Sequence, residues 1–251
     1  MTERRGTYRE LERHWEALSA CTEGGLLCLD VGDPRLPRVT IATGLHGDEP
    51  AGPWALLELV ETNALDPRFA YRFWPCVNPG GFDLQTRENA DGIDVNRTFG
   101  GAGSSSEARA VLAANSGQRF ALSLDLHEDY DARGFYCYEY GGGVIGRCVI
   151  AALDDAGFPI EPLDGSLILA GPADDEHYRC ERGRAIGDAA AEAGAIAGVS
   201  YTMALAAAAR HALTFETPSK CAWHVRLAMQ RAAVLAAIAA LFEESAPTPC
   251  N

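Results

Sequence analysis

The chain has 251 residues, 47% hydrophobic and 22% charged, an ordinary balance for a soluble globular protein of one large or two small domains. Thirty-five acidic against 21 basic residues give a formal net charge of −14, which repels phosphate backbones and argues against a nucleic-acid partner. The start of the chain has no apolar segment behind its arginines, and the longest apolar run, Ala232–Phe242, is too short to cross a bilayer. We therefore predict a cytoplasmic protein without a membrane partner.

Short apolar segments alternate with segments of helical periodicity along the chain. The predicted strands are residues 26–31, 38–43, 71–77, 118–126, 134–140 and 212–216, with a turn at 78–81. The predicted helices are residues 50–62, 147–156, 185–198 and 220–244. This alternation predicts an α/β fold whose mainly parallel sheet is covered on both faces, and no linker divides residues 1–251 into separate domains. Ligands of such sheets bind beyond the carboxyl ends of the strands.

The first candidate site segment, TGLHGDEP, joins the strand ending at Thr43 to the following helix. His46 and Glu49 are three residues apart on this tight turn, so they can point at one centre. Imidazole nitrogen and carboxylate oxygen are both ligands that suit Zn²⁺. A turn histidine beside a surface glutamate would account equally well for this pair alone.

The second segment, SLDLH, brings His127 to the carboxyl end of a predicted strand. There it could join His46 and Glu49, and Asp125 is placed to orient an imidazole through a hydrogen bond. Two histidines and one carboxylate leave a fourth coordination position for water, as in catalytic rather than structural zinc sites. The alternative is a strand-end histidine with its hydrogen bonds satisfied inside the fold.

Two further segments carry charged side chains. The polar stretch 86–99 contains Arg87 and Arg97, and guanidinium groups can bind a carboxylate or stabilise an oxyanion. Glu216 follows an apolar strand just before Pro218, and a glutamate beside a metal-bound water is a candidate general base. A solvated charged loop and an ordinary strand-end acid are the alternatives.

Five segments resemble, in the same order, the motifs of the M14 zinc carboxypeptidases: GLHGDEPAG, NPGGF, TRENADGIDVNRTF, LDLH and TFETP. The resemblance runs from about Leu26 to the closing helix. It implies a three-layer α/β/α sandwich around a mixed sheet, with one zinc ion per chain. The zinc ligands that it implies are His46, Glu49 and His127.

The same resemblance implies roles for four other residues. Glu216 resembles the catalytic glutamate, and Arg87 resembles the arginine that polarises the scissile carbonyl. Asn96 and Arg97 resemble the pair that binds the terminal carboxylate of the substrate. The interval between the two histidines is short for a digestive carboxypeptidase, and no motif marks a substrate-capping tyrosine, although Tyr178 and Tyr201 lie in the expected part of the chain.

The function implied is cleavage of an amide bond next to a free carboxylate, on a small peptide such as a murein peptide. The nearest alternative is an N-acyl amino acid deacylase of the succinylglutamate desuccinylase and aspartoacylase branch. That branch usually carries a sizeable β domain after its catalytic glutamate, whereas 35 residues follow Glu216 here. Three acids after His127, at 128, 129 and 131, could favour a cationic side chain or form a solvated loop. The sequence does not determine the oligomeric state.

A nucleotide-binding module is a different possibility. Gly141, Gly143 and Gly146 satisfy G-x-G-x-x-G between a predicted strand and helix, with Glu161 and Asp164 about 20 residues further on. The segment that would be the second strand contains two prolines, which interrupt strand pairing. The alternative is a flexible glycine turn over the catalytic cleft.

Overall fold

The computed structural model describes residues 6–100, 104–140, 143–163, 178–187, 201–206 and 208–245. The helices of these parts are α1 (Tyr8–Ala17), α2 (Ala51–Glu61), α3 (Pro79–Leu84), α4 (Ser106–Ala114), α5 (Ile145–Asp155), α6 (Tyr201–Ala206) and α7 (Trp223–Ser245). The strands are β1 (Cys21–Glu23), β2 (Leu26–Val31), β3 (Arg38–Thr43), β4 (Ala70–Trp74), β5 (Phe120–Asp129), β6 (Tyr136–Tyr140), β7 (Tyr178–Glu181), β8 (Arg184–Gly187) and β9 (Ala209–Pro218). A 3-10 turn covers Val95–Arg97.

The strands form one mixed sheet in the order β1-β2-β4-β3-β5-β9-β6-β8-β7. Its four central strands, β4, β3, β5 and β9, are parallel neighbours. β6 is antiparallel to β9 and parallel to β8, and antiparallel pairs complete both edges. The carboxyl ends of β3, β5 and β9 therefore meet at one end of the sheet, whereas β6 ends at the opposite end.

Helices cover both faces of this sheet. The larger core lies between the sheet and α2, α5 and α7, where Leu56, Val149 and Val234 are buried. The smaller core lies on the other face, where Val111 of α4 and Tyr201 of α6 are buried. The predicted α/β/α sandwich around a mixed sheet is thus confirmed, with the parallel strands in the centre.

The longest helix, α7, closes the larger core. Its most apolar window has a mean hydropathy of 1.6, so by length and composition alone the segment Trp223–Glu244 could cross a membrane. Half of that window is buried inside the fold, against the sheet and the neighbouring helices. Packing within the protein therefore accounts for its apolar face.

Most predicted elements coincide with observed ones to within a few residues, but the structure corrects two of them. Residues 185–187 of the predicted helix 185–198 belong to β8, which is paired with β6 and β7, and the rest of that prediction lies outside the described residues. The predicted turn at 78–81 begins the short helix α3, because the Asn78 side chain accepts a hydrogen bond from the Gly81 N–H and Pro79 occupies the first turn. Cys28, Cys76 and Cys137 are buried free thiols.

Candidate metal centre

The loop between β3 and α2 carries His46 and Glu49, and backbone constraints fix its path. Gly44 has φ of +63°, a conformation that side chains disfavour. A Cβ on Gly47 would lie 1.9 Å from the Gly81 carbonyl carbon, so this position has room for glycine alone. The buried Asn78 amide donates to the Leu45 carbonyl at 3.2 Å and ties the loop to α3. The NPGGF segment therefore shapes the loop that carries the first two candidate ligands.

The three predicted ligands lie together in a buried cluster. The Glu49 carboxylate bridges both imidazoles, with Oε1 2.6 Å from Nδ1 of His46 and Oε2 2.7 Å from Nδ1 of His127. The two Nδ1 atoms are 3.1 Å apart. One ligand atom from each residue lies within 4.8 Å of the others, as a shared metal ion requires.

The outer nitrogens of both rings face carboxylates. His127 Nε2 is 2.8 Å from Asp125 Oδ2, and His46 Nε2 is 3.4 Å from Asp94 Oδ1. A proton held on each Nε2 leaves both Nδ1 lone pairs directed at the centre of the cluster. Two lone pairs and a carboxylate then face one another without a hydrogen between them, an arrangement that a cation stabilises.

The donor set and its spacing fit zinc. Donor atoms about 2.0–2.1 Å from a tetrahedral zinc ion are roughly 3.3 Å apart. The two Nδ1 atoms are close to that separation at 3.1 Å, whereas the Glu49 oxygens, at 2.6 and 2.7 Å from them, would move slightly outward. Burial opposes charge on His127, but Asp125 and Glu49 hold its pKa well above the usual value. Burial likewise opposes charge on Glu49, but the two imidazoles hold its pKa below the usual range. The cluster therefore attracts positive charge even without a metal ion.

Glu216 lies beside this cluster on the next strand. It is the register partner of His127 in the parallel pair β5–β9, so both side chains point to the same face of the sheet. Burial raises the pKa of the Glu216 carboxyl well above its usual value; Glu49, Asp129 and Asp125 add to the increase, and His127 opposes it. A carboxyl group beside a metal site is a candidate to accept and return a proton.

Arg87 reaches the same centre from the polar stretch after α3. Its Nη1 is 3.4 Å from His46 Nδ1 and 3.9 Å from Glu49 Oε1, while its Nε donates to Asp94 Oδ2 at 2.9 Å. Because 42% of the side chain remains exposed, the guanidinium can also meet a ligand. The sequence analysis did not identify Asp94 as a site residue, although it faces both Arg87 and His46. The signal that could have found it is its position in the polar stretch 86–99, between Arg87 and Arg97.

Asn96 and Arg97 lie in the 3-10 turn that follows Asp94. Asn96 is buried, and its Oδ1 accepts a hydrogen bond from the Tyr201 backbone at 2.9 Å. Arg97 is exposed, and its charge contributes, after the larger effects of His46 and Arg87, to a pKa of Asp94 below the usual range despite burial. The turn thus places one exposed guanidinium near the centre.

Neither candidate capping tyrosine is supported by the described side chains. Tyr201 is fully buried and packs edge-on against Phe99, with ring centroids 5.4 Å apart. The side chain of Tyr178 lies outside the described residues. Neither of these two tyrosines is therefore shown to face the metal centre.

The acidic residues after His127 do not form a solvated recognition loop. The Glu128 side chain is fully buried and pairs with Arg226. Asp129 Oδ2 accepts a hydrogen bond from the Tyr136 hydroxyl at 2.7 Å. Asp131 is exposed. Preference for a cationic substrate side chain consequently has little structural support.

The glycine motif also has a structural explanation. Glu139 Oε1 accepts a hydrogen bond from the Gly146 N–H at 2.9 Å, so the protein's own carboxylate lies at the start of α5, where a dinucleotide phosphate would bind. Glu161 accepts hydrogen bonds from the backbone of Arg133 and Gly134, while Gly141 and Asp164 lie outside the described residues. Because β6 is antiparallel to β9, its carboxyl end at Tyr140 lies at the opposite end of the sheet from the metal cleft. This corrects the alternative interpretation of the glycines as a flexible turn over the cleft.

Comparison with known proteins agrees with this architecture. Residues 35–141 match the model of the succinylglutamate desuccinylase/aspartoacylase catalytic domain. A search of curated proteins found no significant match.

Solved structures share the fold over most of the chain. A candidate metallopeptidase from Shewanella baltica is 23% identical, with a TM-score of 0.70 and coverage of 92% of this chain and 90% of its own. A candidate metallopeptidase from Shewanella amazonensis is 24% identical, with a TM-score of 0.69 and coverage of 96% and 93%. A metallo-carboxypeptidase from Pseudomonas aeruginosa is 17% identical, with a TM-score of 0.61 and coverage of 94% and 68%. These solved structures show the fold of the chain, and the family-model match covers the segment that carries His46, Glu49 and His127.

Proposed function

We propose that the protein is a zinc-dependent carboxypeptidase that cleaves an amide bond next to a free carboxylate, on short or murein-type peptides. The observation that carries the proposal is the buried cluster of His46, Glu49 and His127, in which both Nδ1 atoms face the Glu49 carboxylate. Such a set holds one zinc ion per chain and leaves a coordination position free for chemistry. A cytoplasmic location and a single domain over residues 1–251 are part of the same proposal.

Zinc, when bound, lowers the pKa of a water molecule to about 7 and polarises a carbonyl oxygen. In our proposal, Glu216 takes a proton from the attacking water and then delivers it to the leaving amine. Its place beside His127, on the neighbouring strand, suits it to both steps. Arg87 donates hydrogen bonds to the oxyanion that develops on the scissile carbonyl, while Asp94 holds the guanidinium in place.

Asn96 and Arg97 are the proposed binding site for the terminal carboxylate of the substrate. The exposed guanidinium of Arg97 supplies charge-assisted hydrogen bonds, and Asn96 is fixed by its contact with the Tyr201 backbone. Removal of the guanidinium in Arg97→Ala should lower kcat/KM for a free-acid peptide by about 10- to 100-fold. Equal cleavage of amidated and free-acid peptides by the native enzyme would contradict this assignment.

Deacylation of an N-acyl amino acid is the second candidate function. It is favoured by the match of residues 35–141 to the succinylglutamate desuccinylase/aspartoacylase model. Both reactions use the same chemistry, because each cleaves an amide bond beside a carboxylate. The substrate is then a small peptide or an N-acyl amino acid, and the net charge of −14 argues against nucleic acid in either case.

A hydrolysis panel separates the two candidates. The zinc-loaded protein is incubated with short free-acid peptides, their amides, murein tripeptide, N-acetylaspartate and N-succinylglutamate, and released amine is measured. Cleavage confined to the free-acid peptides supports the carboxypeptidase, and cleavage confined to the last two compounds supports the deacylase. The same panel with Glu216→Gln protein controls for contaminating hydrolases.

A further inference from the structure

Strand β5 ends with an acid on its apolar face. Leu122, Leu124 and Leu126 point into the core beneath α2, α5 and α7. Glu128 continues this alternation, so its side chain points away from the metal centre that His127 faces. Its side chain is fully buried, as is that of its partner Arg226 on α7, with 2% exposure. The charge of a buried acid requires an opposite charge beside it, and Arg226 supplies that charge from α7, about 100 residues further along the chain.

The pair of Glu128 and Arg226 connects both segments that carry the candidate ligands. Arg226 donates from Nε to Oε1 at 2.5 Å and from Nη2 to Oε2 at 2.7 Å. The same Oε2 accepts the Ala51 N–H at 2.8 Å, two residues after Glu49. The Glu128 N–H donates to Glu49 Oε2 at 3.0 Å. One carboxylate thus joins α7, the Glu49 loop and the strand end that carries His127.

Gln230 makes a second connection from the same helix. It is four residues after Arg226, so both side chains leave the same face of α7. Its Nε2 donates to the His127 carbonyl at 2.8 Å and to Thr217 Oγ1 at 3.1 Å. Thr217 directly follows Glu216. Gln230 therefore holds the backbone of one candidate ligand beside the backbone next to the candidate base.

We propose that Arg226 and Gln230 are positioning residues that set the affinity of the metal centre from behind the sheet. This inference rests on the proposed zinc site. Both residues lie on the opposite face of β5 from the metal centre, so they act through the ligand-bearing backbone. Holding Glu49 and His127 in place before the metal arrives reduces the ordering that binding requires.

The test measures zinc affinity rather than activity. Native protein, Arg226→Met, Arg226→Lys and Gln230→Met are freed of metal, their folding is checked by circular dichroism, and the zinc Kd is measured by competition with a chelator. We expect Arg226→Met and Gln230→Met to bind zinc about 10-fold or more weakly. Arg226→Lys, which retains the charge, should recover part of the loss.

Arg231→Met is the matched control. Arg231 lies on the same helix, next to Gln230, and pairs with Glu58 of α2, but this ion pair is on the surface. Its removal should leave the zinc Kd unchanged. A purely structural role for Arg226 and Gln230 would lower the melting temperature of the metal-free variants without changing the Kd of the folded molecules.

Three results would overturn the inference. Native-like Kd values in both Arg226→Met and Gln230→Met would show that α7 does not tune the site, and would leave the proposed function intact. An equal loss of affinity in Arg231→Met would assign the effect to general destabilisation. Failure of the native protein to bind zinc would overturn the proposed function together with this inference. If Arg226→Met does not fold, Arg226→Lys and Gln230→Met decide the question.

Discussion

Two buried groups of charged side chains lie at opposite ends of the same sheet, and they differ in how their charges are compensated. At the carboxyl ends of β3 and β5, the Nδ1 atoms of His46 and His127 and the Glu49 carboxylate face one another. At the far end of β6, the Glu139 carboxylate accepts hydrogen bonds from two donors of the described residues, the Arg184 guanidinium at 3.0 Å and the Gly146 N–H at 2.9 Å.

This difference in charge compensation indicates which of the two groups needs a bound ligand to be stable. Among the described residues, the Arg184 guanidinium pairs with both Glu139 and Glu181, so this group can stabilise the fold with nothing bound. Around Glu49, the Nδ1 atoms of both rings converge on the carboxylate, and the Nε2 atoms face the carboxylates of Asp125 and Asp94. Such convergence is favourable only when a cation or additional protons lie at the centre. Burial of charge alone would not distinguish the two groups.

Removal of a candidate ligand should have the largest effect. His46→Ala and His127→Ala each take a nitrogen from the converging set, so bound zinc should fall from about one ion per chain to an undetectable amount. Elemental analysis of the purified variants measures this. His211→Ala is the control, because His211 is a buried histidine on β9 that pairs with Glu244, at 2.8 Å. Undiminished zinc content in both variants would mean that His46 and His127 are not the zinc ligands.

The Glu139 group should respond in stability rather than in metal content. Arg184→Met leaves Glu139 as a buried acid without its ion-pair partner, which should lower the free energy of unfolding by about 3–5 kcal/mol. Zinc content should not change. Denaturant titration measures the loss of stability. Arg182→Met is the control, since Arg182 lies between β7 and β8, two residues before Arg184, and its ion pair with Asp154 of α5 is on the surface. Loss of zinc in folded Arg184→Met would show that the Glu139 group affects metal binding as well as stability.

Glu216→Gln should separate catalysis from folding beside the metal centre. The amide keeps the volume but cannot accept the proton, so kcat should fall about 10²-fold or more, with zinc retained. In metal-free protein the variant should also lose part of the pH dependence of stability. Because the folded-state pKa of Glu216 is raised, its contribution falls as pH rises from the ordinary glutamate pKa through the folded value.

Turnover, zinc content and thermal unfolding at two pH values, measured on one preparation, test this prediction. Near-native turnover of Glu216→Gln would remove its catalytic role. A lower melting temperature with normal turnover would indicate that Glu216 stabilises the strand end instead.

Sequence reasoning anticipated the pieces of the site whose placement depends on local periodicity. Strand alternation over SLDLH puts Asp125 and His127 on one face, and the turn after β3 presents His46 and Glu49 together. It did not anticipate α1, whose capping box of Thr7 and Glu10 lies in a strongly charged segment. It assigned residues 185–187 to a helix because alanine favours helices, whereas pairing with β6 and β7 makes them a strand.

The sequence by itself determined the α/β class and the order of the central elements along the chain, because these follow from short-range periodicity. It proposed the three candidate ligands from donor chemistry at strand ends together with the resemblance of five motifs to the M14 carboxypeptidases. Only the tertiary structure decided that Asp94 faces His46, that Glu128 is buried against Arg226, and that the carboxyl end of β6 lies away from the metal centre. The physical reason is that each of these depends on strand order, strand direction or contacts between distant segments. Such contacts leave no local pattern in the chain.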